Sequence, residues 1–81
     1  MFIEVLNIPS GTTVDEIDDL FCHMNIIDSI HVNEITHRGG QAVAWVELRC
    51  SQAGANAISE RLDGRYFKGH PVSTYTALFL Y

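Results

Sequence analysis

The chain has 81 residues, of which 47% are hydrophobic, and its ten acidic and five basic residues give a formal net charge of −5 at pH 7. This length allows one small domain, whose hydrophobic core can form without disulfide bridges. The acidic balance excludes a protein that holds nucleic acid mainly by neutralising phosphates over a broad basic surface.

The first predicted element is a strand, FIEVLNI, whose alternating character ends at the turn cluster Pro9-Ser10-Gly11. The same segment lacks the basic flank of a signal peptide and the length of a membrane helix. We therefore expect a soluble intracellular protein, cytoplasmic or nuclear, with no membrane partner.

The segment TTVDEIDDLFCHM predicts the first helix. Thr13 followed three residues later by Glu16 fits a capping box, in which each side chain accepts a hydrogen bond from a backbone amide of the helix start. Cys22 lies beside the apolar stripe of this helix and is expected to be a small core residue. Helical spacing predicts that the buried stripe consists of Val14, Ile17, Leu20, Phe21 and Met24.

Four further segments complete the predicted elements. A second strand runs through Ile27, Ile30 and Val32, and a third, AVAWVEL, follows the loop THRGG. Ser51 is expected to cap a second helix and Gly64 to end it. The final segment, RYFKGHPVSTYTALFLY, predicts a small hairpin and a last strand.

This order of elements, βαββαβ, predicts an α+β fold of the ferredoxin-like sandwich type. Its four strands would form an antiparallel sheet, with both helices on one face and the other face open. The third strand carries apolar side chains on both faces, because Val43 and Trp45 alternate with the residues of the buried face. An aromatic ring on an open sheet is a possible stacking surface.

Two short motifs lie on the central strands of the predicted sheet. The first strand reads Ile3-Glu4-Val5-Leu6-Asn7-Ile8, and the third reads Gln41-Ala42-Val43-Ala44-Trp45-Val46-Glu47-Leu48. In these frames, and in the order of its elements, the chain resembles the RNA recognition motif (RRM) family up to about Tyr75. The family's octamer has a basic first residue and aromatic residues at its third and fifth positions. Here Gln41 and Val43 replace the first two of these, Trp45 keeps the third, and Glu4 stands where the hexamer has its ring.

The resemblance implies binding of single-stranded RNA by stacking of unpaired bases on the open face. Stacking is worth roughly 1–3 kcal/mol per base, so one ring in place of three implies low affinity. Glu4 adds repulsion toward phosphate. The RNA-binding residues expected from the resemblance are Trp45, Val43, Leu6, Tyr75 and His31, with Arg38 on phosphate.

A protein-binding alternative is also open. A subset of RRM-like domains, the UHM type, grips a peptide tryptophan with an acidic first helix and an Arg-x-Phe motif, and this chain is similar in both features. Its carboxylates would attract cations of the peptide, and Phe67 would offer a ring. The residues of this alternative peptide site are Asp15, Asp18, Asp19, Arg65 and Phe67, with Glu16 beside them. Self-association through the open sheet is a further alternative.

We expect residues 1–81 to form a single RRM-like domain. The last six residues, TALFLY at 76–81, are uncharged and largely apolar. This tail either folds across the open sheet, pairs with another chain, or continues into a longer chain, since an exposed apolar strand is sticky.

The histidines and cysteines do not predict a catalytic or metal site. No Cys-x-x-Cys or His-x-x-x-His pair occurs among the four histidines and two cysteines. The chain has no phosphate-binding loop and no dinucleotide fingerprint either. We therefore expect no enzymatic activity, no metal and no cofactor.

Overall fold

The structure is a computed structural model that describes residues 1–35 and 39–77. Its main element is a four-stranded antiparallel sheet. In chain order the elements are β1 (Phe2–Pro9), α1 (Val14–Leu20), β2 (Ile27–Glu34), β3 (Gln41–Leu48), α2 (Gln52–Leu62), β4 (Tyr66–Phe67), β5 (His70–Pro71) and β6 (Ser73–Ala77). The sheet order is β2-β3-β1-β6, and β4 with β5 forms a separate hairpin. The predicted α+β, ferredoxin-like fold is confirmed.

The alternation along β1 and β3 decides which face of the sheet the helices cover. Ile3 and Val5 of β1 and Ala44 and Val46 of β3 are fully buried. Because side chains alternate between the two faces of a sheet, these residues face the core and the intervening side chains lie on the other face. The same core cluster includes Ile17 and Leu20 of α1, Phe21 just after it and Leu62 of α2.

The helix ends follow the sequence signals. The Thr13 hydroxyl accepts a hydrogen bond from the Glu16 amide at 3.2 Å, and the Glu16 carboxylate accepts one from the Thr13 amide at 2.9 Å. The Ser51 hydroxyl caps α2 by accepting from the Gly54 amide at 3.1 Å. Gly64, just after α2, has a φ of +81°, which glycine adopts without strain. Both capping predictions are confirmed.

Two predictions for the first helix are wrong. Val14 is 46% exposed, and Cys22 is exposed rather than buried. The helix has only seven residues and ends at Leu20, and the chain then turns through left-handed conformations at Cys22 (φ 59°) and His23 (φ 52°). This turn takes Cys22 off the helical stripe, while Val14, in the first turn of so short a helix, lies at the margin of the core.

Hydrogen bonds link the last strand, β6, to α2 and to the residue that follows α2. The Ser59 hydroxyl donates to the Thr74 hydroxyl oxygen at 2.9 Å, and the Thr74 hydroxyl donates to the Ser59 carbonyl at 2.7 Å. The Thr74 amide donates to the Asp63 carboxylate at 3.0 Å. Because β6 is an edge strand, these bonds hold Tyr75, its next residue, in place.

Substitution of Thr74 by valine tests how much these hydrogen bonds contribute to stability. Thr74→Val keeps the side-chain shape but leaves the buried Ser59 hydroxyl without its acceptor, which should lower the free energy of unfolding by about 1–3 kcal/mol. Urea denaturation measures the loss. The double variant Ser59→Ala/Thr74→Val removes both hydroxyls and should lose less than the sum of the two single variants. Unchanged stability of Thr74→Val would contradict this account.

A charged cluster closes the C-terminal end of α1. The His23 imidazole contacts the Asp18 carboxylate through Nδ1 and the Asp19 carboxylate through Nε2, both at 2.6 Å. The hydrogen bond and charge of Asp18, with those of Asp19, raise the pKa of His23 above its ordinary value of 6.5. Protonated His23 therefore stabilises the folded state.

This raised pKa fixes the sign of a pH dependence. The contribution of His23 should be fully present below the unfolded pKa and should be lost as pH rises through the higher folded pKa. We expect the melting temperature of the wild type to exceed that of His23→Asn at about pH 6, and the difference to shrink by about pH 9. Thermal unfolding of both proteins measures it. A difference that is constant over this range would contradict the predicted role.

Candidate nucleic-acid interface

One row of side chains crosses the sheet on the face away from the helices. In the strand register, His31 of β2 lies opposite Trp45 of β3, Trp45 opposite Glu4 of β1, and Glu4 opposite Tyr75 of β6. Directly opposed residues of antiparallel strands have Cβ atoms about 4.5–5.5 Å apart. The sheet thus assembles one continuous row from four segments of the chain.

The rings of this row are accessible to a ligand. Tyr75 is 57% exposed, His31 is exposed, and Trp45 is half-buried. Three flat side chains in one row offer stacking surface to unpaired bases. The structure therefore brings together three of the six residues predicted for RNA binding.

Glu4 interrupts the row of rings. The Trp45 indole N–H donates to the Glu4 carboxylate at 2.9 Å, across 41 residues of sequence. A hydrogen bond to a charged acceptor is shorter and stronger than a neutral one. It holds the indole against β1, so that the orientation of the Trp45 ring depends on Glu4.

Leu6 and Val43 lie beside the row. Leu6 is opposite Ser73, and Val43 is opposite Asn33 on the same face. Leu6 is half-buried, but only 9% of Val43 is exposed, so Val43 offers little surface to a ligand. The register of β1 on β3 shifts between Val5 and Ile8.

The described part of the open face is acidic. Glu47 lies on it, opposite Ser29, whose hydroxyl donates to the Glu47 carboxylate at 3.2 Å. With Glu4 this makes two carboxylates, and no lysine or arginine lies on this face within residues 1–35 and 39–77. Arg38, predicted to contact phosphate, lies outside the described residues.

The described lysine and arginine side chains lie off the open face, and two of them form ion pairs with acidic residues. The Arg49 guanidinium contacts the Asp28 carboxylate at 2.6 Å, and the Lys68 ammonium contacts the Glu16 carboxylate at 2.6 Å. The hydrogen bond from Lys68, followed by that of the Thr13 amide, lowers the pKa of Glu16. These pairs add no positive charge to the stacking row.

A second surface lies between α1 and the β4–β5 hairpin. It is an open groove of about 370 Å³, lined by Glu16, Asp19, Leu20, Arg65, Phe67 and Lys68. Of the predicted peptide-binding residues, Asp19, Arg65 and Phe67 meet there, whereas Asp15 and Asp18 do not line it. Phe67 is half-buried against the core. Because Lys68 and His23 already pair with the acidic groups of α1, the groove attracts a basic peptide less than the sequence predicts.

Some residues of the open face were not singled out from the sequence. Glu47 and Ser29 share the face with Trp45, and the period of two along each strand was the signal that could have placed them. At one end of the sheet there is a small cavity of about 190 Å³, whose lining includes Gln41, His70, Asn7 and the glycine pair before β3. His70 reaches this cavity because the β4–β5 hairpin places it there, and no pattern in the sequence predicts that placement.

Neither a metal-ligand cluster nor a membrane-spanning helix occurs in the described part of the chain. Residues 1–35 and 39–77 contain no group of three or more His, Cys, Asp or Glu side chains that could hold a metal ion. Cys22 and Cys50 are free thiols. Within the same ranges, no helix has both the length and the apolar character needed to cross a bilayer.

The similarities of this chain lie among solved structures. No protein-family model and no curated protein sequence matches it. The third RRM domain of Mip6 is 25% identical, with 91% of this chain and 88% of that one covered and a TM-score of 0.76. The third RRM of Pes4 is 24% identical, with 99% and 94% covered and a TM-score of 0.78. The RRM of Rna15, solved with bound RNA (GU), is 18% identical, with 96% and 83% covered and a TM-score of 0.73.

These domains share the order of elements and the sheet topology described above over nearly the whole of this chain. The chain therefore has the RNA recognition motif fold, with a glutamate and a valine at two of its three aromatic stacking positions and Trp45 at the third.

Proposed function

We propose that this protein is an RRM-type module that binds single-stranded RNA on its open sheet face with low affinity. The observation that carries the proposal is the row His31–Trp45–Glu4–Tyr75, in which rings from three strands lie on the face that RRM domains use for stacking. The RRM of Rna15, which this chain resembles in fold, was solved with RNA bound. The proposed role is binding rather than catalysis, and an RNA ligand would place the protein inside the cell.

Low affinity follows from what the face lacks and from what it carries. Only Trp45 remains of the three family rings, and each stacked base contributes roughly 1–3 kcal/mol. Glu4 and Glu47 repel phosphates that approach the sheet. Tyr75 and His31 supply additional flat surface, and Arg38 is proposed to contact phosphate. Leu6 is proposed to pack against a bound nucleotide, with a smaller part for Val43 because it is largely buried.

A second candidate function is peptide binding in the groove between α1 and the hairpin. It is favoured by the meeting of Asp19, Arg65 and Phe67 at one open groove. The ion pairs of Glu16 with Lys68 and of Asp19 with His23 count against it, since a basic peptide would have to displace them. Self-association through the open sheet and the segment 76–81 also remains a proposal; Thr76 and Ala77 belong to β6, and 78–81 lie outside the described residues.

Replacement of the tryptophan tests the stacking role. Trp45→Ala should weaken binding of a degenerate pool of short single-stranded RNAs between about 5-fold and about 150-fold, because it removes the main stacking ring. Trp45→Phe is the matched control, since it keeps a ring and should retain most of the affinity. Amide chemical-shift titrations at low salt measure binding and show that each variant is folded.

Unchanged affinity of Trp45→Ala would contradict binding on the sheet. A parallel titration with a short basic peptide that contains tryptophan tests the second candidate function, because Asp19→Lys reverses a charge in the groove and leaves the sheet intact. Peptide binding that is lost in Asp19→Lys and kept in Trp45→Ala would mean that the groove is the binding surface.

The salt dependence of binding tests the charge argument. For single strands, log K falls with log salt concentration by about 0.7 per neutralised phosphate. Because the described open face has no lysine or arginine, we expect a slope shallower than about −1.5 between about 50 and about 200 mM salt. Arg38→Ala should flatten it by about 0.7. A slope steeper than about −3 would mean that a cationic surface away from the sheet dominates binding.

A further inference from the structure

A small cavity lies at the end of the sheet where β1 ends and β3 begins. It has a volume of about 190 Å³ and is lined by the end of β1, the glycine pair before β3, Gln41 and His70. We propose that this cavity is a base-binding subsite, in which the side chains of Gln41 and His70 form hydrogen bonds with the edge of one unpaired RNA base. The inference rests on the proposed RNA-binding function and adds to it a contact outside the stacking row.

An irregularity in β1 forms one wall of the cavity. The register of β1 on β3 shifts between Val5 and Ile8, so that β1 has one more residue than β3 over this stretch. A bulge of this kind interrupts the ladder and re-aims side chains. Within it, Asn7 has a left-handed φ of 66°, and its side-chain amide donates to the Pro71 carbonyl at 2.8 Å. This bond ties the β4–β5 hairpin to the end of β1 and thereby brings His70 to the cavity.

The polar side chains of the lining have hydrogen-bonding capacity for a ligand. Gln41 lies on the same face of β3 as Trp45, because the two positions are separated by an even number of residues. In the described part of the chain, neither the Gln41 amide nor the His70 ring is hydrogen-bonded to another residue. An amide offers donors and an acceptor oxygen, and a neutral imidazole donates from one nitrogen and accepts at the other.

The charge of the lining favours a base over a phosphate. Among the residues that the structure describes, no lysine, arginine or carboxylate lines the cavity. Phosphates are held mainly by cations, whereas an uncharged amide presents a donor beside an acceptor. Every RNA base presents a donor beside an acceptor on one of its edges, and unpaired bases are recognised through these edges. The lining therefore fits a base edge without strong selection among the bases.

The size and the position of the cavity suit one base of a strand that also contacts the row. A volume of about 190 Å³ is below the roughly 300–1,000 Å³ of sites for drug-sized molecules, and it suits a single planar group. With a rise of about 3.3 Å per residue, Gln41 lies about 13 Å along β3 from Trp45. Val43, between them, is only 9% exposed and offers little contact. The cavity is thus a separate contact region on the path of an extended strand.

The test uses an all-uridine RNA pentamer and five matched pentamers, each of which lacks one base but keeps its sugar and phosphate. All the ligands carry the same charge, so differences between them report contacts of the bases. In the wild type, loss of the base that enters the cavity should weaken binding by about 5-fold to about 30-fold, the scale of two hydrogen bonds. NMR titrations at one fixed, low salt concentration measure the affinities, and the side-chain amide signals of Gln41 should shift with the full pentamer.

The double variant Gln41→Ala/His70→Ala removes both proposed contacts. It should bind the full pentamer about 5-fold to about 30-fold more weakly than the wild type. At one position of the pentamer, removal of the base should then cause no further loss, because the variant and the ligand lack the same contact. Trp45→Ala should cancel the effect of base removal at a different position. Gln52→Ala, at the exposed start of α2, is the matched control and should bind like the wild type.

The outcomes separate the two proposals. Equal affinity of the double variant and the wild type for the full pentamer, with binding that depends on Trp45, would overturn the base-binding subsite and leave the proposed function standing. A double variant that weakens all the ligands by one common factor would also overturn it, because Gln41 and His70 would then contact sugar or phosphate. Absence of binding to the full pentamer at millimolar concentration would overturn the subsite together with the proposed function.

Discussion

The pairing of β1 with β3 places Glu4 directly opposite Trp45, and the composition of the open face follows from that register. A shift of β1 by one residue against β3 would send Ile3 outward and turn Glu4 into the core, where an unpaired carboxylate is costly. The buried face therefore selects the register, and the hydrogen bond between indole and carboxylate adds to it on the other face. Core packing and the candidate site are determined together.

The proposed RNA binding would take place on an acidic face. Most RNA-binding surfaces gain affinity from released counterions, which needs cations near the phosphates. In the described structure Arg49 and Lys68 instead pair with Asp28 and Glu16, outside the row of His31, Trp45, Glu4 and Tyr75. The proposed binding then relies on contact between flat groups and on hydrogen bonds to base edges, interactions that are short in range and weak in sum.

Much of the architecture was predictable because its signals are local or periodic. Alternation on β1 and β3 identified both faces, and the Thr13 capping box and the Ser51 cap appeared as expected. The exposure of Cys22 was not predicted, because no residue in this segment indicates the left-handed turn that follows α1. The burial of Val43 and the hydrogen bond of Trp45 to Glu4 depend on contacts between strands that are distant in the sequence. Periodicity assigns a side chain to a face of the sheet, but it does not identify the neighbours of that side chain.

Loss of the hexamer ring need not mean loss of function. An aromatic residue at position 4 would add sequence-tolerant stacking energy, since every base has a π-face. A carboxylate at this position gives up that energy, and through its hydrogen bond with the indole it instead fixes the orientation of Trp45, the family ring that the octamer keeps.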